Sequence, residues 1–181
     1  GANFKPGDIK IWDNGDKKIT EADRKILGST SPKFIASMVN SISYKGFDFS
    51  IFLYASVGAM LNNNIEYLNK PGRANSIVID YWTPTNPTNA YPRPSVDNAS
   101  PAYVKSLQYE KADFIRVRNI TLGYTLPEKL LKKIRARKIR VYLSANNPFI
   151  ITGFSGIDPE GARGYTVPSA STWMGGVNLS F

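Results

Sequence analysis

The chain has 181 residues, enough for one ordinary domain, and carries a formal net charge of +9 with neither cysteine nor histidine. Disulfides, thiolate or imidazole metal centres, and catalysis resting on Cys or His are thereby excluded. Strong basicity would ordinarily point to nucleic acid, but seven of the basic residues crowd into 128–140 (EKLLKKIRARKIR), a local run that argues against that partner.

The opening stretch, GANFKPGDIK, has no apolar core, so a leader already removed or a missing upstream part is expected. Residues 12–23, WDNGDKKITEAD, look like a calcium loop of the D-x-[DN]-x-[DN]-G type. The stretch 33–44 (KFIASMVNSISY) alternates with period two, placing Phe34, Ala36, Met38, Ile42 and Tyr44 on one face, with Asn40 as the exception. After a tight Lys45-Gly46 connection, 47–55 puts Phe47, Phe49, Ile51 and Leu53 on one face, opposite Asp48 and Ser50. The two segments therefore predict a β-hairpin.

A long connection, 56–112, follows. It holds Tyr67, Tyr81, Trp82, Tyr91 and Tyr103 among Asn- and Pro-rich stretches such as YWTPTNPTNAYPRP. Aromatic faces stack on sugar rings and Asn amides bond hydroxyls, which makes Tyr81, Trp82, Tyr91 and Tyr103 candidate ligand contacts; ordered packing against a neighbour is the plainer role. The prolines favour a stiff lid over a random tether. Residues 113–124 (DFIRVRNITLGY) form a third strand whose apolar phase moves from Ile115/Val117 to Ile120/Leu122/Tyr124, predicting a bulge near Asn119. Only 127–135 reads as a short helix, with Pro127 in its first turn. A fourth strand, 138–146, sets Ile139, Val141, Leu143 and Ala145 against Arg140, Tyr142, Ser144 and Asn146. Beyond the loop 147–171, the fifth strand, 172–181, ends the chain on WMGGVNLSF, its apolar face running to the terminal Phe181.

No run of 18 apolar residues exists, so no transmembrane helix is predicted. Short and long links alternate along an antiparallel meander, which puts them on opposite ends of the sheet. Transmembrane barrels have that arrangement, with strands of about 10 residues, short periplasmic turns and long extracellular loops. Phe181 would then join Tyr44, Phe47 and Tyr124 in an aromatic girdle at the periplasmic rim. A soluble β-sandwich, for instance a carbohydrate-binding module using the Trp82/Tyr91 loop, also alternates. Five strands cannot close a membrane barrel, which needs at least eight. Either the fold is soluble or it is part of something larger.

Four stretches in order, SYKGFDFSIF (43–52), DFIRVRNITLGYTLP (113–127), RVYLSANNPFIITGFSGIDPE (140–160) and the terminal GGVNLSF, closely resemble the C-terminal end of the SusC/RagA family of TonB-dependent outer-membrane transporters. The resemblance covers essentially the whole chain. It implies an all-β fold: an antiparallel meander forming the last five strands of a 22-stranded transmembrane β-barrel, with 1–31 an extracellular loop and 32–181 the barrel strands. It implies a nutrient importer for oligosaccharides or peptides, not an enzyme, working with a SusD-like surface lipoprotein, with TonB through an absent N-terminal plug, and with outer-membrane lipid. Loops 56–112 and 147–171 would lie outside the cell and the C-terminus in the periplasm. Arg116 and Arg118 would face the lumen and pair with plug carboxylates, while the basic run 129–140 would lie near anionic headgroups. Phe181, with Leu179 and Val177, resembles the assembly signal of barrel proteins. The family's fuller calcium-type loop, aligned on Asn14, Asp16, Ile19 and Asp23, has a carboxylate where this chain has Trp12 and a glycine where it has Lys17. No metal or other cofactor is expected, only a loop of the same shape held by Asn and Asp side-chain turns.

Overall fold

The computed structural model describes residues 4–63, 80–94, 104–132, 136–161 and 168–181. Seven strands and one short helix follow in chain order: β1 (Phe34–Tyr44), β2 (Phe47–Val57), β3 (Met60–Asn62), β4 (Tyr109–Lys111), β5 (Phe114–Thr125), α1 (Glu128–Leu131), β6 (Lys138–Thr152) and β7 (Thr172–Ser180). Five of them form one antiparallel sheet in the order β1-β2-β5-β6-β7, and β3 pairs with β4 in a separate ribbon. The tight turn between β1 and β2 carries φ values of 46° at Lys45 and 87° at Gly46, both in the left-handed region that a two-residue hairpin of type I′ requires.

Register turns the period-two alternation into two chemically distinct faces. Tyr44, Phe47, Tyr124, Val141 and Val177 stand in one cross-strand row, and Ile42, Phe49, Leu122, Leu143 and Gly175 in another on the same side. The opposite side carries the row Ser41, Ser50, Thr121, Ser144 and Met174. There the hydroxyls of Ser41 and Ser50 lie 3.3 Å apart and those of Thr121 and Ser144 2.8 Å apart, while the Asn119 amide donates to Asn146 at 2.7 Å and to Ser144 at 3.1 Å. The polar face is thus tied together side chain to side chain, whereas Ile42, Leu122, Leu143, Val177 and Leu179 on the apolar face stay 50–66% exposed. The buried hydrophobic cluster among the described residues is only Ala59, Leu61, Ala112 and Phe154. It lies at the long-connection end, away from the apolar face.

Three features depart from the sequence-based expectation. The strand expected over 138–146 continues to Thr152, which shortens the following connection to 153–171. The run Asn146-Asn147-Pro148 reads as a turn in sequence, but the chain absorbs it as a bulge. Asn147 takes φ 49°, and the pairing with β5 resumes at Val117↔Phe149. Proline is tolerated there because β7 pairs with β6 only as far as Asn146, so no ladder bond is asked of Pro148. The second strand likewise reaches Val57 rather than Ala55. Finally, the connection 56–112 is not all loop, because its two ends pair as β3 and β4. The register shift around Arg118, seen against both β2 and β6, is the bulge that the changing apolar phase anticipates.

Gly123 is where the sheet needs the absence of a side chain. On β6, Arg140 reaches across β5 to Asp48 on β2, with Nε–Oδ1 at 2.9 Å and Nη2–Oδ2 at 2.5 Å, and this ion pair passes over Gly123. A Cβ on Gly123 would sit 2.6 Å from both Asp48 carboxylate oxygens. Gly123→Ala is therefore expected to displace the pair and destabilise the assembled barrel by about 1–3 kcal/mol, the usual cost of overpacking. A denaturant midpoint in detergent indistinguishable from that of the unmodified barrel would show that the pair does not need this clearance.

Candidate functional site

The charged and aromatic side chains gather where the long connections leave the sheet. On the polar face of β5, Arg116 is buried with Asp158 from the β6–β7 connection; their side chains are 4% and 6% exposed and Nη2–Oδ1 is 2.7 Å. Arg116 Nε also lies 3.1 Å from a Glu160 carboxylate oxygen, and Glu160 pairs with Arg118 as well. The Arg118 guanidinium rests over the Tyr54 ring at 4.8 Å. Asp158 further accepts from the backbone N–H groups of Glu160 and Ser169, each at 3.0 Å. Burial pushes the Asp158 carboxyl up, but the Ser169 and Glu160 donors and the Arg116 charge outweigh it and hold it below the ordinary carboxylate range. Loss of Arg116 would leave the buried Asp158 carboxylate without its counter-ion, at a cost of about 3–5 kcal/mol. Arg116 and Arg118, expected to face plug carboxylates, have partners within this chain. Pattern along β5 could not reveal them, because they lie 42 residues downstream.

A second tie fixes the same connection. Glu110 on β4 accepts from the Ser155 backbone N–H at 3.0 Å and from the Ser155 hydroxyl at 2.7 Å, and it also takes the Asn63 amide. Phe154 packs with Ala59, Leu61 and Ala112 beside it.

Three of the aromatic candidates come together, with Tyr81 and Tyr91 forming an isolated parallel bridge. Trp82 and Tyr91 are joined by a backbone bond of 3.1 Å and line a cavity of about 300 Å³ with Asp8, Lys10, Thr88 and Asn89. One face of the Trp82 indole lies against Gly7, which has φ 88° and whose Cβ would come within 2.7 Å of the ring. The segment 4–11 is held there by the Arg93–Asp8 ion pair at 2.6 Å and by the Arg93 N–H on the Gly7 carbonyl at 2.9 Å. Burial, reinforced by the nearby Glu110 carboxylate, pushes the Tyr91 phenol up. Tyr81 remains exposed beside a turn built on Asp80, which accepts from Asn86 and Thr88. Tyr103 and Tyr67 lie outside the described residues, as do Lys133 and Arg135 of the basic run.

At 12–23 the carboxylates of Asp13, Asp16 and Asp23 lie within 4.8 Å of one another. Asp13 is the member that the alignment on Asn14, Asp16 and Asp23 overlooked. Most of their oxygens already serve the backbone: Asp13 accepts from Gly15 and Lys17, Asp16 from Lys18, Asn14 from Asp16, and Asp23 from Asn14 and Thr20. Lys17 itself occupies the left-handed region, φ 61°, where the turn glycine would stand. Trp12, at the first ligand position, instead lies under the Lys25 ammonium at 3.7 Å. The donor set fits a turn sustained by its own side chains better than a cation cage. At the other end of the sheet, Val177 and Leu179 lie exposed on the apolar face and Phe181 projects beyond β7. Phe47 and Tyr124 stack there with centroids 4.5 Å apart.

An antiparallel meander with one exposed apolar face, one hydrogen-bonded polar face and short and long links on opposite ends is the wall of an outer-membrane β-barrel. Comparison with known proteins agrees. No family model matches the sequence. The chain is 35% identical over 149 residues to the TonB-dependent receptor P3 of Formosa agariphila, covering 81% of this chain and 15% of that protein. It is 31% identical over 191 residues to the TonB-dependent receptor SusC of Bacteroides thetaiotaomicron, covering 99% of this chain and 18% of that one. The RagAB peptide importer in its closed-closed state superposes with a TM-score of 0.72 at 26% identity, covering 90% of this chain and 19% of the solved one. The chain belongs to the SusC/RagA family of TonB-dependent receptors, and it spans a fifth or less of the length of these relatives.

The 12–23 turn should respond to acid in a defined direction. Backbone N–H groups of Thr20 and Asn14 hold the Asp23 carboxyl below its usual range. The stabilisation is therefore present above the unfolded pKa of about 3.9 and is lost as pH falls through the lower folded value. Hydrogen-exchange protection of the Asn14 and Thr20 amides is expected to hold at pH 5 and above, to decline as pH falls below about 3.9 and disappear below the lower folded value, and to be missing at every pH in Asp23→Ala. Protection unchanged in that variant would mean the turn is held by something else.

Proposed function

We propose that this chain is the C-terminal wall segment of a SusC-like importer that carries oligosaccharides or peptides across the outer membrane. The observation that carries the reading is the pair of faces held in register over five strands. Lipid is the solvent that accepts the exposed apolar side, and the hydroxyl- and amide-lined side suits an aqueous lumen. A soluble carbohydrate-binding module would have to cover that apolar side with a second layer, which the described residues lack.

In the complete protein, which we take to have 22 strands, β7 pairs with the first strand, because two rows of unpaired backbone groups in lipid cost several kcal/mol per group. Connections 58–113 and 153–171 face the outside of the cell, and the Lys45-Gly46 turn, α1 and Phe181 face the periplasm. A SusD-like lipoprotein caps the outer end, and TonB acts through a plug encoded elsewhere in the polypeptide. The peptide importer of known structure supports peptides as one cargo class. Trp82, Tyr91, Tyr81 and Tyr103 are the residues we assign to cargo contact, and Val177, Leu179 and Phe181 those we assign to recognition by the assembly machinery.

One assay tests both the facing and the terminal role, namely heat-modifiable barrel in the outer membrane. Arginine at Leu143, on the apolar face, is expected to cost about 2–4 kcal/mol near the midplane and to cut insertion sharply, whereas arginine at the neighbouring Ser144 is better tolerated. Phe181→Asp is expected to reduce insertion by more than loss of one ring explains. Equal tolerance at 143 and 144 would reject the facing, and normal insertion of Phe181→Asp would reject the assembly role while leaving the wall assignment intact.

A further inference from the structure

The two arginines on the polar face of β5 have a consequence for the connection that crosses them. Arg116 and Arg118 point to the same side because the bulge at Arg118 brings both onto the polar face. Together they meet Asp158 and Glu160, which flank the single residue Pro159. Arg116 touches both carboxylates, so each acidic group is shared or doubly held. Asp158 uses its remaining capacity on the N–H groups of Glu160 and Ser169, which draws the far side of the connection onto the same anchor. Three residues before Asp158, Ser155 is fastened to Glu110 on β4, and Phe154 fills the small apolar cluster beneath. In between, Ile157 is 66% exposed, while Pro159, between the two carboxylates, is buried. The ion pairs therefore act together with Pro159 to hold this stretch down.

We propose that Arg116 and Arg118 form a two-pronged ionic latch that pins Asp158 and Glu160, and with them residues 153–161, against the polar face of the sheet. The first part of the β6–β7 connection is then a fixed wall over that face and not a free surface loop. Glu110 is the companion positioning residue, tying this wall to the base of the β2–β5 connection. The charges of both arginines are balanced within the chain, so cargo and other segments of the transporter meet an already neutralised surface here. The latch rests on contacts inside this chain and stands whichever cargo the barrel carries.

The test measures distance in the complete transporter in bilayers, between spin labels on cysteines introduced at Ile157 and at Ser43, a strand position at the opposite end of the sheet. The unmodified latch is expected to give one narrow distribution. Arg116→Gln combined with Arg118→Gln should at least double its width while the barrel remains heat-modifiable. Glu160→Arg alone should also broaden it, and adding Arg118→Glu, which restores an opposite-charge pair with the signs exchanged, should narrow it again. If folding fails in the double-glutamine variant, the Glu160→Arg and exchanged-pair comparison decides alone. A distribution that stays narrow after neutralisation, or an exchanged pair that remains as broad as Glu160→Arg, overturns the latch. A separate label at Leu143 reports lipid contact, so failure of the barrel-wall reading is distinguishable from failure of the latch.

Discussion

Everything in this chain depends on five strands keeping one register. Side chains alternate with period two, so a slip of a single residue on any strand would carry its apolar set to the polar side. The chain meets that constraint over 11 paired residues between β1 and β2 and 9 between β6 and β7 without interruption. Between them lies one irregular zone, where Arg118 on β5 faces the Asn147-Pro148 bulge on β6. At Arg118 the extra residue on β5 inverts the phase, so that Ile115 and Val117 continue the apolar face begun by Ile120, Leu122 and Tyr124. Without the bulge, Arg116 would turn to the apolar side and Val117 to the polar one. The same displacement sets Arg118 beside Arg116, so sheet geometry and the ionic cluster have a common origin.

The two ends of the sheet are finished by different means. At the short-link end the work is done by a left-handed Lys45-Gly46 turn, by Phe47 stacked on Tyr124 and by the Asp48–Arg140 pair over Gly123. At the long-link end, packing is scarce and polar contacts dominate. Asp23, Asp80, Glu110 and Asp158 each organise a separate stretch of backbone or side chain by accepting several hydrogen bonds. Beyond the small cluster of Ala59, Leu61, Ala112 and Phe154, these loops have little apolar burial to rely on, and carboxylates do most of the holding. This accounts for connections rich in Asp, Asn and Pro that are nevertheless ordered where they are described.

Much of the fold was legible because alternation is a local signal. The hairpin, the strands on 113–124 and 172–181 and the bulge near Asn119 all follow from counting odd and even positions. The extension of β6 past Asn146 was not, since Asn147 and Pro148 carry the local chemistry of a turn and only pairing with Val117 outweighs it. Neither was the β3–β4 ribbon, three residues a side with 46 residues between its strands. The ion-pair cluster was half visible: Arg116 and Arg118 stood out as charges inside a strand, but the pairing with DPE at 158–160 is a tertiary fact. Asp13 was missed because alignment to a known loop directs attention to fixed positions, and Asp13 lies one residue away from the first of them.

The central claim is that one face of this sheet meets lipid and the other meets the lumen, with the phase inverted at Arg118. It is tested most directly by scanning spin labels along β5, from Phe114 to Thr125, in the complete transporter in bilayers. Accessibility to oxygen from the lipid is expected at Ile115, Val117, Ile120, Leu122 and Tyr124, and accessibility to a water-soluble relaxant at Asn119 and Thr121, with the change of phase between Val117 and Ile120. Lipid contact at Thr121, or alternation that runs through Arg118 without inversion, would contradict the account.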